Sequence, residues 1–441
     1  MKKVTAILLA CVLLFALVAC GGSTGTTTAP ASSAPPSSGG ASYAPTPWAN
    51  PDGSPNLDKV AYYDSNFDYT QTAKHRVIYI TESAPDPSSD RIVSGLTQWG
   101  KLENVQFDGL VTANGDPDLF LTLIQTQIDQ GYDGLVIDPD GLLGQAVADI
   151  MNDNPQVAWM TFNMSARAYD SSKPDDPGPL LHPFAGFDFV YNGQQCSNGL
   201  LDWKTKNFPD VPWDRVGYIV LQNAEYGVFN LIQSGSDQVI RDSEVPNQNM
   251  FVADVAAFNG SMPDAAQQSV ASIITQHSSS FDVWIISALI EPYAMGTAVA
   301  TTTLGVTDKT CIISTSASAL IPQWDAGVQT AWRMAWYTEP VIMCEPIMGA
   351  LVAFMNGWAQ PNTIWPSWVN VNDDGGANGP FATIVVPAIY FSMDNYKQYL
   401  AWTDVYSGNN DYPEYPKDGI TRDTFPSSVP IPDYYHVLAS K

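Results

Sequence analysis

Basic residues are scarce in this chain: 19 Lys and Arg stand against 45 Asp and Glu over 441 residues, a formal net charge of -26. A field of that sign repels nucleic acid and anionic lipid and gives no sign of a phosphate-reading surface, so no nucleic-acid partner is expected. Histidine is scarcer still. His75, His182, His277 and His436 are scattered, with no HExxH or similar ligand spacing, so no metal is expected. The five cysteines, Cys11, Cys20, Cys196, Cys311 and Cys344, contain no CxxC and are too widely spaced to suggest a disulfide framework. Catalytic signatures are missing too: the folded part has no GxSxG elbow, no GxxxxGK[ST] loop and no histidine beside a plausible nucleophile. Neither an enzyme nor a cofactor carrier is expected.

Long apolar runs are few, and the one at the amino terminus is short. Lys2 and Lys3 precede an apolar stretch from Val4 to Ala19 that ends on Leu17, Val18, Ala19 and then Cys20. It falls short of the about 20 apolar residues that a spanning helix wants. This start resembles that of a bacterial lipoprotein precursor. The resemblance implies that residues 1–19 are a signal peptide, with cleavage before Cys20 and a lipid on its sulfur and new amino terminus. Residues 20–56 are mostly Ser, Thr, Gly, Ala and Pro with almost no charge. Such a stretch cannot bury enough surface to offset its ordering entropy, so it is expected to be a flexible tether. Anchor and tether together place the folded part at the extracytoplasmic face of a membrane, held there by lipid alone.

The roughly 385 residues beyond the tether exceed what one core usually organises, so two lobes are expected. From His75 onward, short β-rich runs alternate with amphipathic helical segments. RVIYIT reads as a strand, and the helix over 88–102 puts Ile92, Leu96 and Trp99 on one face. VQFDGLVT, YDGLVIDP and QVAWMTFN continue the strands, with helical segments between them. Runs such as GLVID are apolar without alternation, as suits central parallel strands covered on both faces. RVGYIVLQ, at 215–222, opens a second series with the strands FVADVAAF, FDVWIISA and TCIIST. ATIVVPAIYFS reads as one further strand-like run and MDNYKQYLAWTDVY as a helix. Two such α/β series imply two lobes across a cleft, with the ligand-facing loops at the carboxyl ends of the strands.

The lipoprotein start, the two series and the motifs YDGLVIDPDG, SFDVWIISALIEPYAMGTAVA, EPIMGALVAFMNG and TIVVPAIYFSMDNYKQY together resemble the type 1 periplasmic-binding-protein family, in its sugar-binding branch that feeds ABC importers. The resemblance implies two Rossmann-like parallel-sheet lobes joined by three crossovers near Asp188, Arg333 and Phe381. The first lobe is then 75–189 with 334–380, the second 190–333 with 381–402, and 403–441 is a surface-packed extension. It also implies a monomer that takes a small solute, most simply a neutral carbohydrate, and delivers it to a membrane permease. Binding an amino acid, nucleoside or signalling ligand in a sensory or surface-interaction role is the alternative on the same fold.

Carried over position by position, the family's first-loop contact falls on Asp86 and its stacking aromatics near Ser88 and Ser89. The pair after the fourth strand falls on Asn163 and Met164. In the second lobe the family's arginine falls near Asn230, an aromatic wall near Phe258, the Asn-Asp pair on Ile290 and Glu291, an aspartate on Ser316 and the hinge glutamine near Met343. Most of the charged sugar clamps are therefore missing.

Several residues carry two readings. Sugar sites use aromatic faces and planar hydrogen-bonding groups. Trp159, Trp284, Trp324, Trp332 and Trp336 lie near cleft-facing ends of segments and could instead be core, with Trp324 the best stacking candidate. Glu291 could accept from ligand hydroxyls or complement a helix start. Arg333 could grip an acidic ligand or pair with a carboxylate. NVNDDGGANG, 370–379, resembles half a calcium loop, but Phe381 stands where the closing Glu belongs, so it is read as a turn.

Overall fold

Two six-stranded sheets organise the chain, and each forms from the pattern of apolar runs read above. The structure, a computed structural model, describes residues 45–139, 143–162, 167, 168, 170, 172, 173, 178–223, 227–258, 260–367, 381–386 and 388–416. Cys20, Asn163, the 370–379 segment and residues 417–441 lie outside the described residues. What is described falls within one compact unit, Tyr43–Lys441.

The first series runs β1 (His75–Thr81), α1 (Pro87–Leu102), β2 (Val105–Thr112), α2 (Pro117–Asp129), β3 (Gly134–Asp138), α3 (Gly144–Asp153), β4 (Ala158–Thr161) and β5 (Phe184–Gly186). The second runs α4 (Phe189–Asn207), β6 (Val216–Gln222), α5 (Gly227–Arg241), β7 (Met250–Asp254), α6 (Met262–Gln276), β8 (Val283–Ser287), α7 (Glu291–Thr303), β9 (Thr310–Ser314), α8 (Ile321–Asp325) and β10 (Trp332–Tyr337). Then come α9 (Val341–Met355), β11 (Thr383–Val385), β12 (Ile389–Ser392) and α10 (Tyr396–Ser407). The sheet orders are β11-β5-β4-β3-β1-β2 and β12-β10-β9-β8-β6-β7. All pairings are parallel except β10 with β12. β8 and β9 are buried along their whole length, as central strands covered on both faces must be.

The sheets fix where the chain crosses between lobes. The first crossing, between β5 and α4, comes at Asp188, the N-cap of α4. The second does not come at Arg333: β10 carries residues 332–337 into the second sheet, so the chain crosses after Tyr337. The third comes between β11 and β12, after Val385 and not at Phe381. ATIVVPAIYFS is thus two strands in different sheets. Each half is apolar enough to be buried, and Pro387 between them, which cannot continue a central strand, was the available signal of the break.

α9 is apolar all round, and all but two of its 15 residues are buried. A helix with no polar face must be covered on every side. Sheet one and α1 cover part of it; residues 45–74 and α10 cover the rest. This overturns the tether's expected end at residue 56. Trp48 is buried, its backbone N donates to Asp64 Oδ2 at 2.9 Å, and its ring meets Trp358 edge-on at 5.9 Å. Tyr63 N donates to Glu345 Oε1 of α9 at 2.7 Å, and Phe67 packs on the same Trp358. Trp48, a large aromatic in a Ser/Pro/Gly stretch, was the available signal.

In the second lobe α4 and α5 cross with their backbones in contact. A Cβ added at Gly193 would lie 1.9 Å from Ile232 O, and one at Gly235 would lie 1.9 Å from Val190 O. Hydroxyls bridge the same crossing: Ser197 Oγ donates to Ser236 O and Ser236 Oγ to Gly193 O, both at 3.0 Å. Cys196, Cys311 and Cys344 are buried free thiols. Among the described residues no helix is long and apolar enough to cross a membrane.

Candidate functional site

The loops at the carboxyl ends of the strands carry three of the sequence-derived residues, one in the first lobe and two in the second. Asp86, in the loop after β1, is the N-cap of α1. Its Oδ1 accepts from Ser89 N at 2.8 Å and from Ser89 Oγ at 2.9 Å, and Pro87 occupies the first turn. This capping box holds the amino end of α1 at the mouth of the first lobe. Asp86 stays exposed, Ser88 is half-buried in the first turn, and Ser89 is buried with its hydroxyl engaged by the cap.

Glu291 opens α7 in the second lobe and is 7% exposed. Its carboxylate accepts from Ser318 N at 2.9 Å and from Ala319 N at 2.5 Å, and the nearby Ser316 side chain helps to hold its pKa down. Ser316 O in turn accepts from Ser314 Oγ at 2.5 Å. Glu291 therefore clamps the loop after β9, a role that neither sequence reading contained. Burial pushes its pKa up to about 6 against the pull of those donors, and the charge of Asp86 adds to the rise. That last influence reaches Glu291 from the other lobe, so the two mouths lie within electrostatic range of each other.

Two polar groups that sequence reasoning left unnamed join this end of the sheets. Asp138, at the carboxyl end of β3, accepts from the buried Tyr79 hydroxyl at 3.1 Å, and the charges of Asp138 and Asp86 help burial to hold that phenol well above its ordinary pKa. Asn223, just after β6, donates from Nδ2 to the buried Tyr293 hydroxyl at 3.1 Å. Their signal was positional: each ends, or directly follows, an apolar strand at its ligand-facing end.

Asn230 lies in the first turn of α5 and lines a polar pocket of about 180 Å³ with Gln222, Gln233, Ser234 and Asp237. Phe258 is half-buried in the loop after β7 and packs against the core.

Two expected site residues are placed elsewhere. Arg333 sits at the amino end of β10, opposite the cleft-facing ends, where it donates to Thr310 O at 3.1 Å and Thr307 O at 3.0 Å. It grips two backbone carbonyls, so neither the ligand nor the carboxylate reading describes it. Trp324 is not a stacking face: it is 5% exposed and packed against Phe391 and Tyr396 at 5.5 and 5.2 Å. The other four tryptophans are interior as well. Trp159 stacks on His182 at 3.9 Å, and Trp332 and Trp336 donate to Ser314 Oγ and Asn192 Oδ1, both at 3.0 Å.

No family model matches the sequence, and no curated protein does. Solved structures do match. A 5-methylthioribose transporter solute-binding protein from Thermotoga lettingae, solved with 5-methylthioribose, is 15% identical with a TM-score of 0.54, covering 77% of this chain and 94% of its own. GanP, a glucose-galactose binding protein from Geobacillus stearothermophilus, is 12% identical with a TM-score of 0.52, covering 74% of this chain and 99% of its own. A Caulobacter myo-inositol binding protein, solved with myo-inositol, is 17% identical with a TM-score of 0.51, covering 67% and 92%. The chain has the two-lobed α/β fold of type 1 periplasmic binding proteins. About a quarter of it extends beyond what these relatives share.

Proposed function

We propose that this protein is the extracytoplasmic solute-binding component of an ABC import system and that it captures a small neutral carbohydrate or polyol between its lobes. The observation that carries the reading is the placement of Asp86 in one lobe and of Glu291 with Ser316 in the other, at the carboxyl ends of two parallel sheets and within electrostatic range of each other. Carboxylates and hydroxyls accept from ring hydroxyls without requiring a charged ligand, whereas an amino acid's carboxylate wants a strong cation. Arg333, the cation that the sequence suggested, faces the other way, and Arg241, which lines the pocket with Asn230, pairs with Asp237. The solved relatives, bound to or named for methylthioribose, glucose-galactose and myo-inositol, favour the same class.

With the five tryptophans interior, recognition rests more on hydrogen bonds than on stacking, with Phe258 the remaining aromatic candidate. Asn163 and Asn230 complete the proposed contact set. Capture closes the lobes about the three crossings as a hinge motion, and the closed form docks on a membrane permease. Cys20 carries the lipid that keeps the protein at the membrane surface. Mass analysis of the amino-terminal peptide from membranes tests the anchor, and an unmodified Cys20 or an intact Met1 refutes it.

The test of the ligand class is a thermal-shift screen of mono- and oligosaccharides, polyols, nucleosides and amino acids, since a ligand that binds only the folded state raises its apparent stability. A sugar or polyol should raise Tm. A response to amino acids alone would overturn the class.

A further inference from the structure

We infer that residues 396–412 form a strap that ties the two lobes together and restrains the opening of the cleft. The strap leaves the second lobe, touches the first and returns to the second at the same carboxylate. Its first contact is Tyr396, whose hydroxyl donates to Asp325 Oδ1 at 2.9 Å while its ring packs on Trp324 of α8. Lys397 Nζ lies 3.8 Å from the same oxygen. α10 then crosses to pack on α1 and α9 of the first lobe.

Gly408 ends α10 at φ 72, a left-handed conformation that a side chain strains, and a Cβ there would meet Gln98 of α1 at 3.0 Å. The chain turns back along α1. Ser94 Oγ donates to Asn409 Oδ1 at 3.3 Å, and Arg91 lies 3.6 Å from Asp411. Tyr412 then closes the circuit, its hydroxyl donating to Asp325 Oδ2 at 3.0 Å and its ring meeting Tyr396 edge-on at 6.0 Å. Asp325 is the point where outgoing and returning arms meet.

The strap also reaches the second crossing. Arg91, which faces Asp411, donates to Glu339 Oε1 at 2.5 Å; Tyr337 donates to Glu339 Oε2 at 2.8 Å, and Glu339 N donates to Tyr399 of α10 at 3.1 Å. Glu339 is fully buried between the lobes. α1 begins at the cleft mouth and α8 belongs to the loop region after β9, so separating the mouths moves Arg91 and Asp325 apart. The strap must then release one of its two grips. Its contacts favour the closed arrangement independently of any ligand, and by linkage they raise the affinity of whatever closes the cleft.

The test needs no ligand, so its failure is distinct from a failure of the proposed function. Spin labels on Leu119→Cys of α2 and Val299→Cys of α7, both exposed, report the inter-lobe distance in full-length protein carrying Cys20→Ser; the three folded-domain cysteines are buried. The parent should give a narrow distribution. Asp325→Ala should shift it to longer distances and broaden it, and Tyr412→Phe, which removes one donor and keeps the ring, should do so by less. If Asp325→Ala does not fold, the Tyr412→Phe shift decides. An unchanged distribution, with or without a lower Tm, overturns the strap and leaves these contacts as surface packing only.

Discussion

The two lobes share one architecture, and each holds a buried titratable group with a large shift in a different setting. In the first, His182 lies under the ring of Trp159 with Phe354 and Phe381 nearby, its Nδ1 3.0 Å from Pro183 O. Burial lowers its pKa to about 3. In the second, burial raises that of Glu291 to about 6. The first group sits in a closed aromatic interior; the second sits at the mouth and is kept there by the loop it clamps. The first group therefore belongs to a lobe's interior and the second to a loop at the carboxyl end of a sheet, although the strand orders of the two lobes correspond. The first lobe also depends on chain from outside its own sheet to cover α9, whereas the second closes its helix layer by the tight α4–α5 crossing.

Removing the cover should have the largest effect. Trp48→Ala deletes a buried indole and should cost about 3–5 kcal/mol in denaturant unfolding. A change under 1 kcal/mol would show that residues 45–74 decorate the first lobe without holding it. In the second lobe Gly193→Ala drives a methyl into the Ile232 carbonyl. Because backbone and not a flexible side chain must yield, about 3 kcal/mol should be lost, and an unaltered Tm would mean that the helices can part freely.

The two acid-base groups should act with opposite sign. For His182 the folded pKa lies below the unfolded value of about 6.5, so its stabilising contribution is complete above pH 6.5 and is lost as pH falls toward 3. Near pH 4.5 the loss should be about 3 kcal/mol, and His182→Phe should flatten that limb of the stability profile. For Glu291 the folded pKa lies above the unfolded one, so ionising it costs stability as pH rises from 4.5 through 6. A sugar that donates hydroxyls to the ionised carboxylate should bind up to about tenfold more tightly at pH 7 than at pH 5. Calorimetry at the two values, repeated with Glu291→Gln, checks this; equal affinities would confine Glu291 to its loop.

Most of both sheets was legible in the sequence because strand and helix periods are local properties. RVIYIT, YDGLVIDP and FDVWIISA each became the core strand that their apolar runs imply. What was not legible depends on long-range placement. The break inside ATIVVPAIYFS is marked by Pro387, but that its two equally apolar halves join different sheets is decided by their sheet partners alone. Arg333 and Trp324 looked like site residues from their scarcity and their loop position. Yet Arg333 meets two carbonyls at the far end of its sheet, and Trp324 lies under Tyr396, which is 72 positions later in the chain. Asp86 and Glu291 were legible as loop residues but not as neighbours, since their approach depends on how the lobes face each other.

The central claim is that a neutral polyhydroxylated solute is held between Asp86 and the Glu291–Ser316 pair. Its most direct test is calorimetric titration of the tightest carbohydrate found by the screen into the wild type, Ser316→Ala and Asp86→Asn, the last chosen because Asn still caps a helix. The account predicts one site per chain and a loss of affinity of about tenfold or more in each variant with Tm nearly unchanged, as a lost hydrogen bond to a buried partner implies. Wild-type affinity in both variants, or binding of amino acids with no carbohydrate response, would contradict it.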